Sequence, residues 1–112
     1  MLKKVSFKYK GKKFNILAKR CNFLEEAIGL MFTRRKKAKA LLFEFRRPMN
    51  FRIHSFFVFF SFIAVWLNKN NKVIEIKKIN PFTLSIKPKK SYKKLLEIPL
   101  NEEYKRKIKF LS

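Results

Sequence analysis

The stretch that decides the fold is FFVFFSFIAVWLNKNNKVIEIKKI, residues 56–79. Its first half contains two apolar runs, residues 56–60 and 63–67, which together are rich in Phe, Val and Ile. Periodicity alone does not separate a buried strand from a buried helix in runs this short. The aromatic and β-branched content favours strands covered on both sides. We therefore expect these two runs to be central strands.

The second half of this stretch predicts a hairpin. The sequence Asn-Lys-Asn-Asn at residues 68–71 tolerates positive φ and is typical of a turn. Residues 72–79 predict the strand that follows. Residues 63–79 therefore read as strand, turn and strand.

The N-terminal part predicts another hairpin. Apolar residues alternate with polar, mostly basic ones over residues 5–9 and again over residues 14–18, with Gly11 between them. This period of two is the signature of half-buried strands, and the short Gly-containing connection favours direct pairing. The hairpin should carry one basic face.

The remaining elements are shorter. Residues 40–45 and 91–98 predict strands, and Pro48 should end the first of them because it removes a ladder donor. Asn22 and Glu25 form a capping box for a short helix that ends at Gly29. The other expectations are a basic loop at 34–39, an extended piece at 83–86, a helix starting at 101–103 and a last strand at 108–111.

The fold class predicted from these elements is mostly β, a β-rich α+β domain. We expect a single domain over residues 1–112, built as a small barrel or two packed sheets with one or two short helices. No internal repeat or long linker divides the chain.

The charge balance is extreme. The chain has 29 Lys and Arg against 7 acidic residues, all of them Glu, for a net charge of +22 on 112 residues. A domain this basic repels itself and gains stability from an anionic partner, which predicts association with polyanions such as RNA or DNA. The competing explanation is coding bias, because AT-rich codons favour Lys, Asn, Ile and Phe.

Two single residues limit the chemistry. Cys21 is the only cysteine and His54 the only histidine, so one chain forms neither an internal disulfide nor a zinc site of several His or Cys ligands. We predict no cofactor and no metal. The longest charge-free window, residues 53–68, is shorter than the roughly 20 residues of a spanning helix. With no signal peptide visible, we expect no transmembrane segment and a cytoplasmic location; the sequence indicates no oligomeric state.

A series of motifs resembles a known family. The pieces, in order, are AIGLMF (27–32), LLFEF (41–45), IHSFFV (53–58), VWLNKNNKV (65–73), Pro81 and LLEIP (95–99). Together they resemble the uncharacterised family called domain of unknown function 192, in its short archaeal form. The resemblance implies a compact, mostly β, barrel-like domain with a short helix. It implies no activity, because the function of the family is undetermined.

The chain departs from this family at one polar position. Members typically have Pro, an aliphatic residue and Asp where this chain has Ser61, Phe62 and Ile63. They also usually carry Asp and Gly at the positions of Asn68 and Asn71. A role that depends on the first Asp would be missing here, whereas a purely structural role would be replaced by packing of Ile63.

Candidate sites follow from the motifs. A pocket beside the GLMF element would be lined by Gly29, Leu30, Met31, Phe32 and His54, with His54 as general base or ligand contact. The alternative is that these residues have structural roles only, as a helix C-cap, two core anchors and a hydrogen-bonded histidine. Neither alternative is excluded by the sequence.

Three glutamates lie in or beside apolar strands: Glu44, Glu75 and Glu97. A pair of carboxylates can form an acid–base site. We instead expect each of them to be a strand-face partner of Lys or Arg.

The basic clusters are the candidates for polyanion binding. They occupy residues 8–13, 34–39, 46–52, 87–94 and 105–109. Guanidinium groups grip phosphates bidentately, so the arginines lead the candidate set: Arg34, Arg35, Lys36, Lys37, Arg46, Arg47 and Arg52. Tyr9, Phe51, Tyr92 and Tyr104 are the aromatic residues that we expect to be exposed for base stacking.

Two functions emerge. The leading hypothesis is a non-enzymatic binding module that associates with RNA or DNA with little sequence discrimination, because no recognised readout motif is present. The alternative is a small-molecule binding or catalytic domain with a pocket near Gly29, Met31 and His54. A third hypothesis, attachment to anionic lipid, is not favoured, because the sequence predicts no strongly amphipathic helix.

Overall fold

Strands dominate the computed structural model, which describes residues 2–21, 35–50, 58–83, 86–109 and 111. Within these residues the regular elements are six strands, a 3₁₀ turn and one short α-helix. Their bounds are β1 Leu2–Tyr9, β2 Lys12–Arg20, the 3₁₀ turn Arg35–Lys37, β3 Leu41–Met49, β4 Phe62–Leu67, β5 Val73–Ile79, β6 Tyr92–Pro99 and α1 Lys105–Ile108.

The six strands form one sheet in the order β1-β2-β3-β6-β4-β5. All pairs are antiparallel except β2 and β3, which pair in parallel. The sheet curls, so that its two edge strands, β1 and β5, approach each other. The dimensions of 31 × 29 × 27 Å are those of a curled rather than a flat sheet. The predicted mostly-β class is confirmed. Of the two predicted architectures, a small barrel or two packed sheets, the described strands agree with the barrel, which they form as a half-barrel.

The predicted hairpins are confirmed. In the first, Tyr9 faces Lys12, and the intervening Lys10 and Gly11 have φ of 50° and 79°. Positive φ at both positions is the geometry of a type I′ turn, which matches the twist of the flanking strands. In the second, Asn68 Oδ1 accepts hydrogen bonds from the backbone N–H groups of Asn70 and Lys72, at 2.8 and 3.0 Å.

The core has two parts. The inner cluster fills the concave side of the curl and draws buried residues from five strands and α1: Val5, Phe7, Phe14, Ile16, Ala18, Ala40, Leu42, Ile63, Val65, Leu67, Leu96, Ile98, Tyr104, Ile108 and Leu111. The outer cluster covers the other face of the central strands: Ala38, Phe43, Val58, Phe60, Phe62, Ala64, Trp66, Ile79, Ile86, Tyr92 and Leu95. Strand β4 lies between the two clusters and is buried along its whole length.

The C-terminal segment packs against the inner cluster. The buried Tyr104 hydroxyl accepts a hydrogen bond from the Ala40 N–H at 2.8 Å, and Asn101 Nδ2 donates to the Ala38 carbonyl at 2.9 Å. These two bonds satisfy buried backbone groups just before β3, where the strand ladder does not reach them. They tie this segment to the middle of the sheet.

Several predicted boundaries were wrong. Strand β3 continues through Pro48 to Met49, because its pairing with β6 shifts register between Glu44 and Met49 and so tolerates a missing donor. The run at 56–60 is not a strand where it is described. Val58 and Phe60 are instead buried in the outer cluster, and Phe59 is exposed.

The last elements also differ from expectation. The predicted final strand at 108–111 is wrong, because Ile108 ends α1 and Leu111 lies in a turn. The helix predicted from 101–103 begins at Lys105, after a turn closed by the Asn101 carbonyl. Three expectations, the helix at 22–29, residues 56–57 and the centre of the piece at 83–86, lie outside the described residues.

Candidate functional site

A cleft of about 780 Å³ opens between the two edge strands, where the curled sheet stops short of closing. One wall is formed by residues 6–10 and Lys13 of the first hairpin. The other wall is formed by residues 70–76, the end of the second turn and the start of β5. The cleft therefore exists because the first and fifth strands of the chain meet without pairing.

The floor of the cleft is apolar. Phe7 is buried in the inner cluster, and Tyr9, Val73 and Ile76 are half-buried against it. The Phe7 ring stacks on Phe14 with ring centres 5.3 Å apart, which joins the floor to β2. The cleft thus reaches the edge of the hydrophobic core.

The rim of the cleft is basic. Lys8, Lys10, Lys13 and Lys72 are exposed residues that border it, and none of them forms an ion pair with a described residue. The Lys10 ammonium lies 5.4 Å from the centre of the Tyr9 ring, a cation–π contact. These are the charges of the cluster at residues 8–13, joined by one lysine from the second hairpin.

The acid in the cleft is already engaged. Glu75 accepts a hydrogen bond from the Lys89 backbone N–H at 3.0 Å and pairs with Lys77 at 3.1 Å. Burial opposes its ionisation, but these contacts outweigh it and lower the pKa of Glu75. Its negative charge is therefore balanced by Lys77 and the Lys89 backbone N–H rather than by the lysines of the rim.

Glu44 is the centre of the largest ion-pair network in the described residues. Its carboxylate lies 2.9 Å from Arg20 Nε, 3.0 Å from Lys3 Nζ and 3.8 Å from Lys94 Nζ, so it joins β1, β2, β3 and β6. Burial opposes ionisation here too, but the hydrogen bond from Lys3 and the surrounding positive charges lower the pKa of Glu44. The prediction that Glu44 and Glu75 are strand-face partners of basic residues is confirmed.

Glu97 does not fit that prediction. Its side chain is buried between Leu41 of β3 and Ala64 of β4, and no described residue forms an ion pair with it. Burial raises the pKa of Glu97 to about 7. The signal in the sequence was its setting, LLEIP, in which every neighbour is apolar.

The predicted pocket residues Gly29, Leu30, Met31, Phe32 and His54 lie outside the described residues. Ile63, where the resemblance implies an Asp, is fully buried in the inner cluster, so an apolar side chain fills this place in the core. Among the described residues, no group of three His, Cys, Asp or Glu is placed to hold a metal ion.

The predicted polyanion contacts fall on separate elements. Lys36 and Lys37 are exposed on the 3₁₀ turn that Arg35 begins, whereas Arg46 and Arg47 are exposed in the second half of β3. Arg34 and Arg52 lie outside the described residues. Lys72 was not among the residues predicted from the sequence, because its position beside the first hairpin depends on the curl of the sheet.

Only Tyr9 of the described stacking candidates is accessible. Tyr92 and Tyr104 are buried, at 1% and 4% exposure, so the expectation that they are exposed was wrong. Burial is also the main reason that the pKa of each rises to about 12. Phe51 lies outside the described residues.

None of the described helices has the length and apolar character that crossing a membrane requires. The only α-helix in the described residues has four residues.

Comparison with known proteins identifies relatives without an assigned activity. Residues 8–110 match the family model described as "Uncharacterized ACR", domain of unknown function 192. The UPF0127 protein of Pyrococcus horikoshii is 27% identical over 97 residues, which cover 81% of this chain and 84% of that protein. Its counterpart from Pyrococcus abyssi is 28% identical over 79 residues, 70% of this chain and 67% of that protein.

Two crystal structures share the fold. A protein of unknown function from Novosphingobium aromaticivorans has a TM-score of 0.75 at 16% identity, over 94% of this chain and 77% of that one. A putative transcription regulator from Sinorhizobium meliloti has a TM-score of 0.75 at 15% identity, over 94% of this chain and 84% of that one. At these identities the similarity supports the fold alone.

Proposed function

The chain belongs to the domain of unknown function 192 family, and for this member we propose a non-enzymatic binding module that associates with the polyanions RNA or DNA. Because membership of the family implies no activity, the proposal depends on the charge distribution of this chain. Phosphate contacts by Lys and Arg would supply the affinity, with little discrimination between sequences.

The observation that supports this proposal is that the carboxylates of the described residues are either paired or buried. Of the five glutamates in the described residues, four form ion pairs and the fifth, Glu97, is buried. The lysines of the cleft rim have no acidic partner left in this part of the protein. A row of uncompensated lysines around a concave surface focuses positive potential outward, which favours a polyanion.

The test is binding of a fluorescein-labelled 20-nucleotide RNA, followed by fluorescence anisotropy at increasing NaCl. We expect log K to fall linearly with log salt, with a slope that reports the number of phosphates contacted. Absence of binding to this RNA and to DNA at low salt would overturn the proposal.

Two matched variants locate the contacts. One replaces Lys8, Lys13 and Lys72 of the rim by Gln, and the other replaces Lys36, Lys37 and Arg46 by Gln; each removes three charges from exposed positions. We expect the rim variant to lose about 2 from the magnitude of the salt slope. The second variant should lose less, because its charges lie on two separate elements.

The alternative, a small-molecule binding or catalytic domain, gains one described group, the Glu97 carboxyl. Burial raises the pKa of this acid to about 7, and a general base with a pKa near the working pH suits catalysis. In this case His54→Ala or Glu97→Gln would abolish the thermal stabilisation produced by a ligand from a metabolite library. Equal responses of wild type and both variants would count against it.

A further inference from the structure

We propose that the cleft between β1 and β5 binds single-stranded nucleic acid in preference to duplex, with a base against Tyr9 and the flanking phosphates on the rim lysines. This inference rests on the proposed function and specifies the ligand of the cleft. It is carried by the combination of an apolar floor, a basic rim and an accessible aromatic ring in one concave surface.

The apolar floor distinguishes a single strand from a duplex. Phosphates alone need only lysines, yet the cleft exposes parts of Tyr9, Val73 and Ile76 beneath them. In a duplex the faces of the bases are hidden in the stack, whereas a single strand presents them to aromatic and apolar side chains. An apolar floor therefore gains contact only with unpaired bases.

The size of the cleft agrees with a short piece of one strand. Its volume of about 780 Å³ lies in the range of ligand pockets, roughly 300–1,000 Å³. Base readout in duplex DNA places a helix or a two-stranded ribbon in the major groove. The only α-helix in the described residues has four residues, and the cleft is a concave surface between two parts of the sheet rather than a protruding element.

The lysines are placed for the backbone of such a strand. Lys8, Lys10 and Lys13 lie on one wall and Lys72 on the other, so phosphates on both sides of a bound base have a cation near them. Lys10 lies over the Tyr9 ring at 5.4 Å, where a base would stack. Its long side chain can exchange this contact for a phosphate as the base enters.

An acidic peptide is the occupant that charge alone would also allow. Its carboxylates would use the lysines but would gain little from the aromatic floor. The observations therefore favour nucleic acid, and a peptide becomes an outcome of the experiment.

The experiment compares a single-stranded 10-mer of dT, a mixed-sequence duplex of the same length and poly-glutamate as competitors of a labelled single strand at fixed salt. We expect the single strand to compete at least about tenfold better than the duplex, from stacking of about 1–3 kcal/mol per base. Equal competition by the duplex, or better competition by poly-glutamate, would overturn the inference.

Substitutions at Tyr9 identify the stacking contact. Tyr9→Leu keeps an apolar side chain on the inner cluster but removes the ring, and should weaken single-strand binding about tenfold without changing the salt slope. Tyr9→Phe should retain binding, as should Phe59→Ala, which removes an exposed aromatic ring that does not line the cleft. Thermal midpoints of all variants show that each is folded.

The outcomes separate this inference from the proposed function. Salt-dependent binding with no effect of Tyr9→Leu and no preference for the single strand would refute the cleft site and leave polyanion binding intact. No binding of any nucleic acid at low salt would refute both.

Discussion

The central strand β4 and the edge strand β1 share the alternating geometry of a β-strand but differ in burial and charge. All six residues of β4 are buried and uncharged, because the inner and outer clusters cover both of its faces. Strand β1 buries only Val5 and Phe7 and carries Lys3, Lys4 and Lys8 on its remaining positions. Charge is therefore absent from the central strand β4, whereas the lysines of the cleft rim lie on β1, on β2 and in the turns of the two hairpins.

The largest expected effect on the free energy of unfolding comes from a substitution in the central strand β4. Trp66→Ala removes a fully buried side chain from the outer cluster and should lower the free energy of unfolding by about 3–5 kcal/mol. Leu17→Ala, at an exposed position of β2, should change it by no more than about 0.5 kcal/mol. Urea unfolding measures both; similar losses would mean that centre and edge contribute alike.

The carboxyl group buried in the central strands, that of Glu97, is the next test. Because burial raises the pKa of Glu97 from an ordinary 4.5 to about 7, the folded state holds its proton longer than the unfolded state. The stability from this group is fully present below about pH 4.5 and is lost as the pH rises through about 7, by about 3 kcal/mol in total.

Glu97→Gln should flatten this dependence. Thermal midpoints measured from pH 5 to pH 8.5 should show the variant gaining on the wild type as the pH rises. Glu102→Gln, at an exposed acid, serves as the control and should follow the wild-type curve. Parallel curves for wild type and Glu97→Gln would show that the carboxyl is not desolvated.

A smaller effect is expected at the junction of edge and centre, where Glu44 joins four strands. Its contribution is present above the unfolded pKa and is lost as the pH falls through the lowered folded pKa. Glu44→Gln should cost about 1 kcal/mol at pH 7, because three partly exposed pairs are screened by solvent. Unfolding in 1 M NaCl should reduce this difference, and an unchanged difference would contradict the electrostatic cause.

The smallest effect on stability belongs to the rim of the cleft. Replacing Lys8, Lys13 and Lys72 by Gln should leave the free energy of unfolding unchanged or raise it by a few tenths of a kcal/mol, because like charges are removed. The same variant should show the largest loss of polyanion binding. A marked loss of stability would mean that these lysines serve the fold.

Much of the local structure was predictable from the sequence. Alternation at residues 5–18 and the Asn-rich turn at 68–71 predicted both hairpins, because a period of two and residues that tolerate positive φ are local properties. The predicted strand boundaries were wrong where contacts with other strands determine them. Pro48 lies inside β3 because the register of the pairing with β6 shifts beside it. The apolar residues Val58 and Phe60 cover the outer cluster instead of pairing.

The candidate site was less predictable. The cluster at residues 8–13 and Tyr9 were found as basic and aromatic residues, but their position opposite Lys72 was not. Glu97 was expected to pair with a lysine like Glu44 and Glu75. It lies instead between β3 and β4, where no described cation reaches it.

The sequence by itself determined the strands, the hairpins and the excess of positive charge, because these depend on neighbours along the chain. The tertiary structure alone decided that β6 is inserted between β3 and β4, that β2 and β3 run parallel, and that β1 curls round to β5. These contacts join residues far apart in sequence and follow from burying one continuous inner cluster. The cleft is a product of that curl, since it lies where the first and last strands of the sheet face each other without pairing.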